Sequence, residues 1–231
     1  MKFKNILLTG ASGTLGQEII KCIPMNFLTP SIEELDITKP EQIEKFFNEN
    51  EIDAVIHCAA VARMKECHEN PAKALAVNTV GTANLVKVVM EKEKLGKSIK
   101  FIHMSTDGVY ESTDGNYSEY GATIPYNTYG LTKLGAECAV RLLGNRYIII
   151  RTNFFDPKNI KFTESATDAY TSKVTVDYIA KAVIKLLHKG FWGIVNVGKG
   201  RMSDFDNYVR YKKDIKPCKL RDIEEKIDFV F

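Results

Sequence analysis

The sequence predicts an α/β fold: a doubly wound, parallel sheet with a small C-terminal region. Short apolar runs alternate with stretches of helical period over residues 1–155, the pattern of βαβ units. A strand, a glycine-rich turn and a helix open the chain. The 231 residues, 45% hydrophobic and 26% charged, suit one large soluble domain. Residues 1–155 read as the core and 156–231 as a smaller region with a returning helix and strand, in one compact unit.

The elements follow in order. Phe3 to Leu8 is the first strand, and Thr14 to Cys22 the helix after the turn. Asn26 to Thr29 makes a short second strand. Pro40 suits a first helical position and leads Ile43, Phe46 and Phe47 down one face. Asp53 to Cys58 is the third strand. Pro71 opens a long helix expected to bury Leu75, Val77, Leu85, Val88 and Val89. Ile99 to Met104 is the fourth strand. A polar loop with Gly108, Gly115, Gly121 and Pro125 leads to a helix from Tyr126 to Leu143, and Tyr147 to Arg151 is the fifth strand. Lys158 to Ser172 reads as a loop, Val176 to Leu187 as a helix and Gly193 to Val197 as a strand. The last thirty residues are poorly periodic.

A net charge of +3 gives no push toward nucleic acid or an anionic membrane, and the basic cluster from Arg210 to Arg221 reads as a solvated surface. The five cysteines include no C-x-x-C pair and suit a reducing compartment. No apolar run approaches the roughly 20 residues of a membrane span. The expectation is a cytoplasmic protein without a bound metal. His57 and His103 lie in strands and read as core residues.

The strongest segment is Thr9-Gly10-Ala-Ser12-Gly13-Thr14-Leu15-Gly16. Glycines spaced three apart between strand and helix permit a tight turn, close approach of backbone N–H groups to a pyrophosphate, and tight helix–sheet packing. The helix N-terminus adds partial positive charge. The turn therefore predicts a Rossmann-type dinucleotide site, with Ser12 and Thr14 as hydroxyl donors. Thr29, Pro30 and Ser31 stand where an acidic residue would favour NAD or an arginine NADP. The lack of a carboxylate there leans toward NADP, with Lys39 as an added cation.

Tyr129 and Lys133 are four residues apart in a predicted helix and project from one face. Thr106 closes the fourth strand, at the sheet edge that faces the ligand crevice. Thr106, Tyr129 and Lys133 are the catalytic candidates. A nearby ammonium is expected to lower the Tyr129 pKa from about 10, so that the phenol exchanges a proton with a substrate oxygen near neutral pH. Thr106 would orient that oxygen, and Lys133 would also hold the nicotinamide ribose.

The glycine turn with its preceding Thr9 resembles the extended short-chain dehydrogenase/reductases. Glu34-Leu-Asp36-Ile37-Thr38, Ala59-Ala60, Ala76-Val-Asn78-Thr-Val-Gly81, Ser105 through Tyr110, Tyr129 through Lys133 and Arg151-Thr-Asn-Phe154 then arrive in order. Together they resemble the dTDP-4-dehydrorhamnose reductase family over almost the whole chain. The resemblance implies reduction of a 4-keto sugar nucleotide with NAD(P)H. It puts Asp36 and Ile37 beside the adenine, and Cys58, Ala59 and Ala60 along the cofactor. Met64, Asp107, Asn153 and Phe154 fall on the substrate side, and a homodimer is a further expectation.

Three features depart from the family: Val61 replaces an aromatic residue, Phe154 replaces a tryptophan, and the stretch from Phe155 to Ser172 is shorter. That stretch is expected to be mobile without ligand, leaving the crevice open beside Tyr129 or completed by another subunit. Dehydratase relatives carry Asp-Glu after the catalytic threonine, whereas Asp107 is followed by Gly108. An epimerase, or an NADP-binding regulatory subunit of a partner enzyme, stands as the alternative to a reductase.

Overall fold

The computed structural model describes residues 3–111 and 115–227. Residues 112–114 of the expected polar loop and 228–231 of the C-terminal region lie outside the described residues.

The chain runs β1 (Ile6–Thr9), α1 (Thr14–Cys22), β2 (Phe27–Leu28), α2 (Pro40–Glu49), β3 (Ala54–His57), α3 (Met64–Glu69) and α4 (Pro71–Ala74). A π-helical segment (Leu75–Gly81) leads into α5 (Thr82–Lys94), and β4 (Lys100–Met104) ends in a single 3₁₀ turn (Asp107–Val109). Then come α6 (Thr128–Val140), β5 (Tyr147–Thr152), β6 (Phe154–Phe155), β7 (Glu164–Ala166), β8 (Tyr170–Thr171), β9 (Val174–Thr175) and α7 (Val176–His188). The chain continues through β10 (Gly193–Val197), β11 (Met202–Ser203), α8 (Asp204–Val209), β12 (Lys216–Cys218) and α9 (Leu220–Ile227).

Six strands form one parallel sheet in the order β10-β5-β4-β3-β1-β2. Alternate residues of each strand enter opposite cores. Ile6, Leu8, Ile148 and Ile150 pack with α1 and α7, through Ile19, Ile179 and Val183. Leu7, Val55, Phe101 and Ile149 pack on the other face with Ile43 and Phe47 of α2 and Leu85 and Val89 of α5. Burial of both faces is why these strands read as continuous apolar runs. Each fully buried Leu or Ile contributes on the order of 1.5–3 kcal/mol. Strand order reverses between β1 and β3, so their C-terminal ends flank a crevice outside the sheet.

Three expectations need correction. The helix from Pro71 is interrupted by the π-helical segment. Its wider turns shift the helix phase, so Ala74, Asn78 and Gly81 face inward, while Leu75 is 51% exposed rather than buried. Lys158 to Ser172 is no structureless loop: β7 pairs with β12 and β8 with β11. The supposedly unpatterned tail supplies those partners, and Lys212 Nζ donates to the carbonyls of Ile160 and Phe162 at 3.3 and 2.9 Å. Helix α3, not foreseen, is too short to show a period.

Candidate active site

At the crevice, Gly10 takes φ +69°, and a Cβ there would stand 2.6 Å from Ala59 N. Only glycine meets both demands. The first turn is thereby pressed against the Cys58-Ala59-Ala60 segment, whose three residues are half-buried. Gly13 N–H closes the turn on Gly10 O at 3.0 Å. Gly13 is also the N-cap of α1 and has no side chain to cap it, so the first-turn amides remain for an acceptor outside the helix. Ser12 and Thr14 are exposed beside them, while Leu15 and Gly16 pack beneath.

Asp36 and Ile37 occupy the loop before α2. Asp36 accepts from Thr38 N at 2.9 Å and Thr38 Oγ1 at 2.7 Å, which holds its carboxyl below the usual range. Lys39 Nζ lies 3.9 Å from Asp36. Ile37 is buried against Gly81, where a Cβ would stand 2.7 Å from Ile37 Cγ1.

Thr106, 7% exposed, follows β4 and caps the 3₁₀ turn: its Oγ1 accepts from Gly108 N at 3.1 Å and donates to Asp107 Oδ1 at 3.3 Å. Asn127 starts α6 by accepting from Gly130 N at 2.8 Å, and its amide donates to Met64 Sδ at 3.5 Å. Gly130 packs on the carbonyl oxygen of Gly108, which brings the helix start carrying Tyr129 to the turn carrying Asp107. The Tyr129 ring rests on Val61, Cys67 and Ala74. Val61 is itself buried and hydrogen-bonded to Asn78, so it forms part of the ring's support.

The charge pattern differs from expectation. Burial pushes the Tyr129 phenol up, and Cys67 and the Asp107 carboxyl push it the same way. The expected lowering is corrected: in the free protein the Tyr129 phenol is shifted up and keeps its proton near neutral pH. Burial also brings Lys133, 2% exposed, down to about 8, against opposing pulls from Glu137 and Cys58. Behind it, burial and the Lys133 charge drive His57 down to about 3 and His103 well below its ordinary value. Thr82 Oγ1 donates to Asn78 O, so it accepts from His57 Nε2 at 2.9 Å. His57 Nδ1 then accepts from Thr9 Oγ1 at 2.7 Å, and the ring is a neutral Nε2–H tautomer.

Of the residues expected on the substrate side, Asn153 and Phe154 are half-buried, and Asn153 hydrogen-bonds Asp107. Burial nonetheless raises the Asp107 carboxyl, opposed by Asn153 and by the Lys173 charge. Lys173 bonds Asp204 Oδ1 at 3.0 Å and Tyr208 OH at 2.6 Å, tying the C-terminal segment to this wall. Sequence reasoning missed Lys173, and no local pattern marks it. It also missed Glu137, which the four-residue step from Lys133 would have found.

A glycine turn at the sheet's switch point, with Thr106, Tyr129 and Lys133 on the adjoining strand end and helix, defines an α/β chain of the extended short-chain dehydrogenase/reductase type. It belongs to the RmlD substrate binding domain family, whose model matches residues 4–185. It is 33% identical over 153 residues to a dTDP-4-keto-6-deoxy-D-glucose reductase of Streptomyces niveus, covering 63% of this chain and 51% of that protein. It is 27% identical over 181 residues to methionine adenosyltransferase 2 subunit beta of Rattus norvegicus, covering 74% of this chain and 53% of that one. The chain thus spans about half the length of these relatives. A dTDP-4-dehydrorhamnose reductase structure from Clostridium acetobutylicum superposes with a TM-score of 0.83 at 27% identity, over 94% of this chain and 85% of that one. Another from Bacillus anthracis, in complex with NADP, shares the fold with a TM-score of 0.83 at 21% identity, over 100% of this chain and 94% of that one. Among the described residues, no helix is long and apolar enough to cross a membrane.

Proposed function

We propose that the chain is an NAD(P)H-dependent reductase of a keto-sugar nucleotide, with a lean to NADPH. The observation that carries this reading is the contact of Gly130 with Gly108, which joins the Thr106 strand end to the Tyr129–Lys133 helix beside the glycine turn. The residues suit a dinucleotide: Gly10 and Gly16 are places where a Cβ would strike backbone, and the N-terminus of α1 that follows the turn has no side-chain cap. Ser12, Gly13, Thr14 and Leu15 would hold the pyrophosphate, Asp36 and Ile37 the adenosine end, Cys58, Ala59 and Ala60 the middle, and Tyr129 and Lys133 the nicotinamide ribose. The bound nicotinamide supplies a hydride.

Tyr129 then gives its phenolic proton to the substrate oxygen as that oxygen becomes an alcohol. Burial raises its pKa, which keeps the proton on the phenol until that transfer but makes it a weaker acid there, so the donation leans on the Lys133 charge. Thr106 orients the same oxygen, and the Lys133 ammonium steadies the phenolate left behind. Met64, Asp107, Asn153 and Phe154 face the sugar. The test is a panel of nucleotide-sugar ketones with NADPH and NADH, read by loss of nicotinamide absorbance.

The similarity to methionine adenosyltransferase 2 subunit beta over 74% of this chain favours a second reading, a cofactor-binding subunit that regulates a partner enzyme. Tight NADP binding with no turnover on any ketone would select it.

A further inference from the structure

We propose that Glu137 is the positioning residue of this site, joining the strand end that carries Thr106 to the helix that carries Tyr129 and Lys133. The proposal rests on the reading of those three residues as the reacting set. Glu137 lies one helical turn beyond Lys133 on α6 and is 1% exposed. Its Oε1 accepts from Ser105 Oγ at 2.5 Å, and Ser105 immediately precedes Thr106. Arg151 of β5 donates Nε to both carboxylate oxygens at 3.0 and 3.2 Å and Nη2 to Oε2 at 2.6 Å. Arg151 Nη1 continues to Tyr110 OH at 2.8 Å and Glu119 O at 3.3 Å. The Tyr110 hydroxyl lies 2.9 Å from Asn196 Oδ1 on β10, and Asn196 Nδ2 donates to Tyr117 O at 2.8 Å.

One carboxylate therefore links β4, β5, α6 and, through Arg151, β10 and the loop that precedes α6. A buried ion pair is a weak source of net stability, because desolvation offsets the attraction. Its use here is directional. The Ser105 bond fixes the approach of Thr106 to the helix face bearing Tyr129. The charge also bears on Lys133: the groups around that ammonium are His57 and Cys58 at the end of β3, His103 on β4 and Glu137 on its own helix. Both histidines are neutral, and burial lifts the Cys58 thiol to about 12, so near neutral pH Glu137 supplies the negative charge facing Lys133.

The experiment labels lysine Cε with ¹³C in the full chain and assigns Lys133 by its loss in Lys133→Met. Lys133 is expected to titrate near 8 in the wild type. In Glu137→Gln it should titrate about one pH unit or more lower, as loss of a nearby opposite charge demands. An unmoved Lys133 overturns the proposal, because a carboxylate that does not face the ammonium cannot position it. With NADPH and an accepted ketone, kcat should fall by roughly 10²-fold with KM little changed, the mark of lost orientation. If the wild type turns over no ketone, the reductase reading fails while the titration still decides the role of Glu137. Should Glu137→Gln fail to fold, Ser105→Ala is read by backbone NMR. Displacement of the Tyr129 and Lys133 amide signals across the clamp supports the proposal, and signals that stay put overturn it.

Discussion

Gly130 on α6 lies so close to the carbonyl oxygen of Gly108 that a Cβ has no room between them, and the same Cβ would also stand 2.9 Å from Pro125 Cβ. Gly130→Ala is therefore expected to push the start of α6 off the Asp107 turn and displace Tyr129. The change should cost about 1–3 kcal/mol in urea unfolding and lower turnover sharply. Gly190→Ala, where a Cβ meets nothing, is the control. Equal stability of the two variants would refute the contact.

Tyr129→Phe removes the proton and keeps the ring on Val61, Cys67 and Ala74. Turnover should fall by about 10²–10⁴-fold, with cofactor affinity nearly unchanged by fluorescence titration. More than about a tenth of the wild-type rate remaining would sink the assignment.

Cofactor choice should be weak, leaning to NADPH. Thr29, Pro30 and Ser31 carry no carboxylate of their own, although Glu34 Oε2 accepts from Ser31 N at 2.7 Å, and Lys39, 3.9 Å from Asp36, stays exposed. Dissociation constants are expected within about 100-fold of each other, about 2.7 kcal/mol at ~1.4 kcal/mol per decade. A clear preference for NADH would contradict the lean.

Stability should carry the signature of His57. Its pKa is about 3 in the folded chain and about 6.5 when unfolded. Between those values the unfolded state binds the extra proton, so stability is complete above pH 6.5 and declines as pH falls toward 3. His57→Gln loses the bonds to Thr9 and Thr82 and should be less stable at pH 7. Its stability should also fall less steeply below pH 6 than that of the wild type, by up to about 1.4 kcal/mol per pH unit. Parallel slopes in urea melts from pH 4.5 to 7 would show that the ring titrates normally.

The segment holding β7 and β8 should behave as a paired lobe. Backbone N–H groups of Lys216 and Thr167, bonded to Thr163 O at 2.8 Å and Cys218 O at 3.0 Å, should exchange slowly with solvent. Lys173→Met removes the tie to Asp204 and Tyr208 and should speed that exchange while leaving the central sheet protected. Fast exchange at Lys216 and Thr167 in the wild type would restore the mobile loop.

Local sequence alone determined the elements whose signals are local: the strand–turn–helix around Gly10, Gly13 and Gly16, the helix Thr14–Cys22, the strand Gly193–Val197, and the spacing of Tyr129 and Lys133. A steric need for glycine or a hydrophobic period is written into a few consecutive residues, so a linear reading recovers it. Only the tertiary structure decided that Leu75 faces out, because a π-helical turn shifts phase without changing composition. Only it paired 164–166 with 216–218, strands too short to show a period and about fifty residues apart. It also reversed the expected charge shift at Tyr129. An i+4 lysine predicts a lowered phenol, but burial raises it, and Cys67 and Asp107 raise it further. Desolvation depends on what the whole fold packs around a group, and no short stretch of sequence contains that sum.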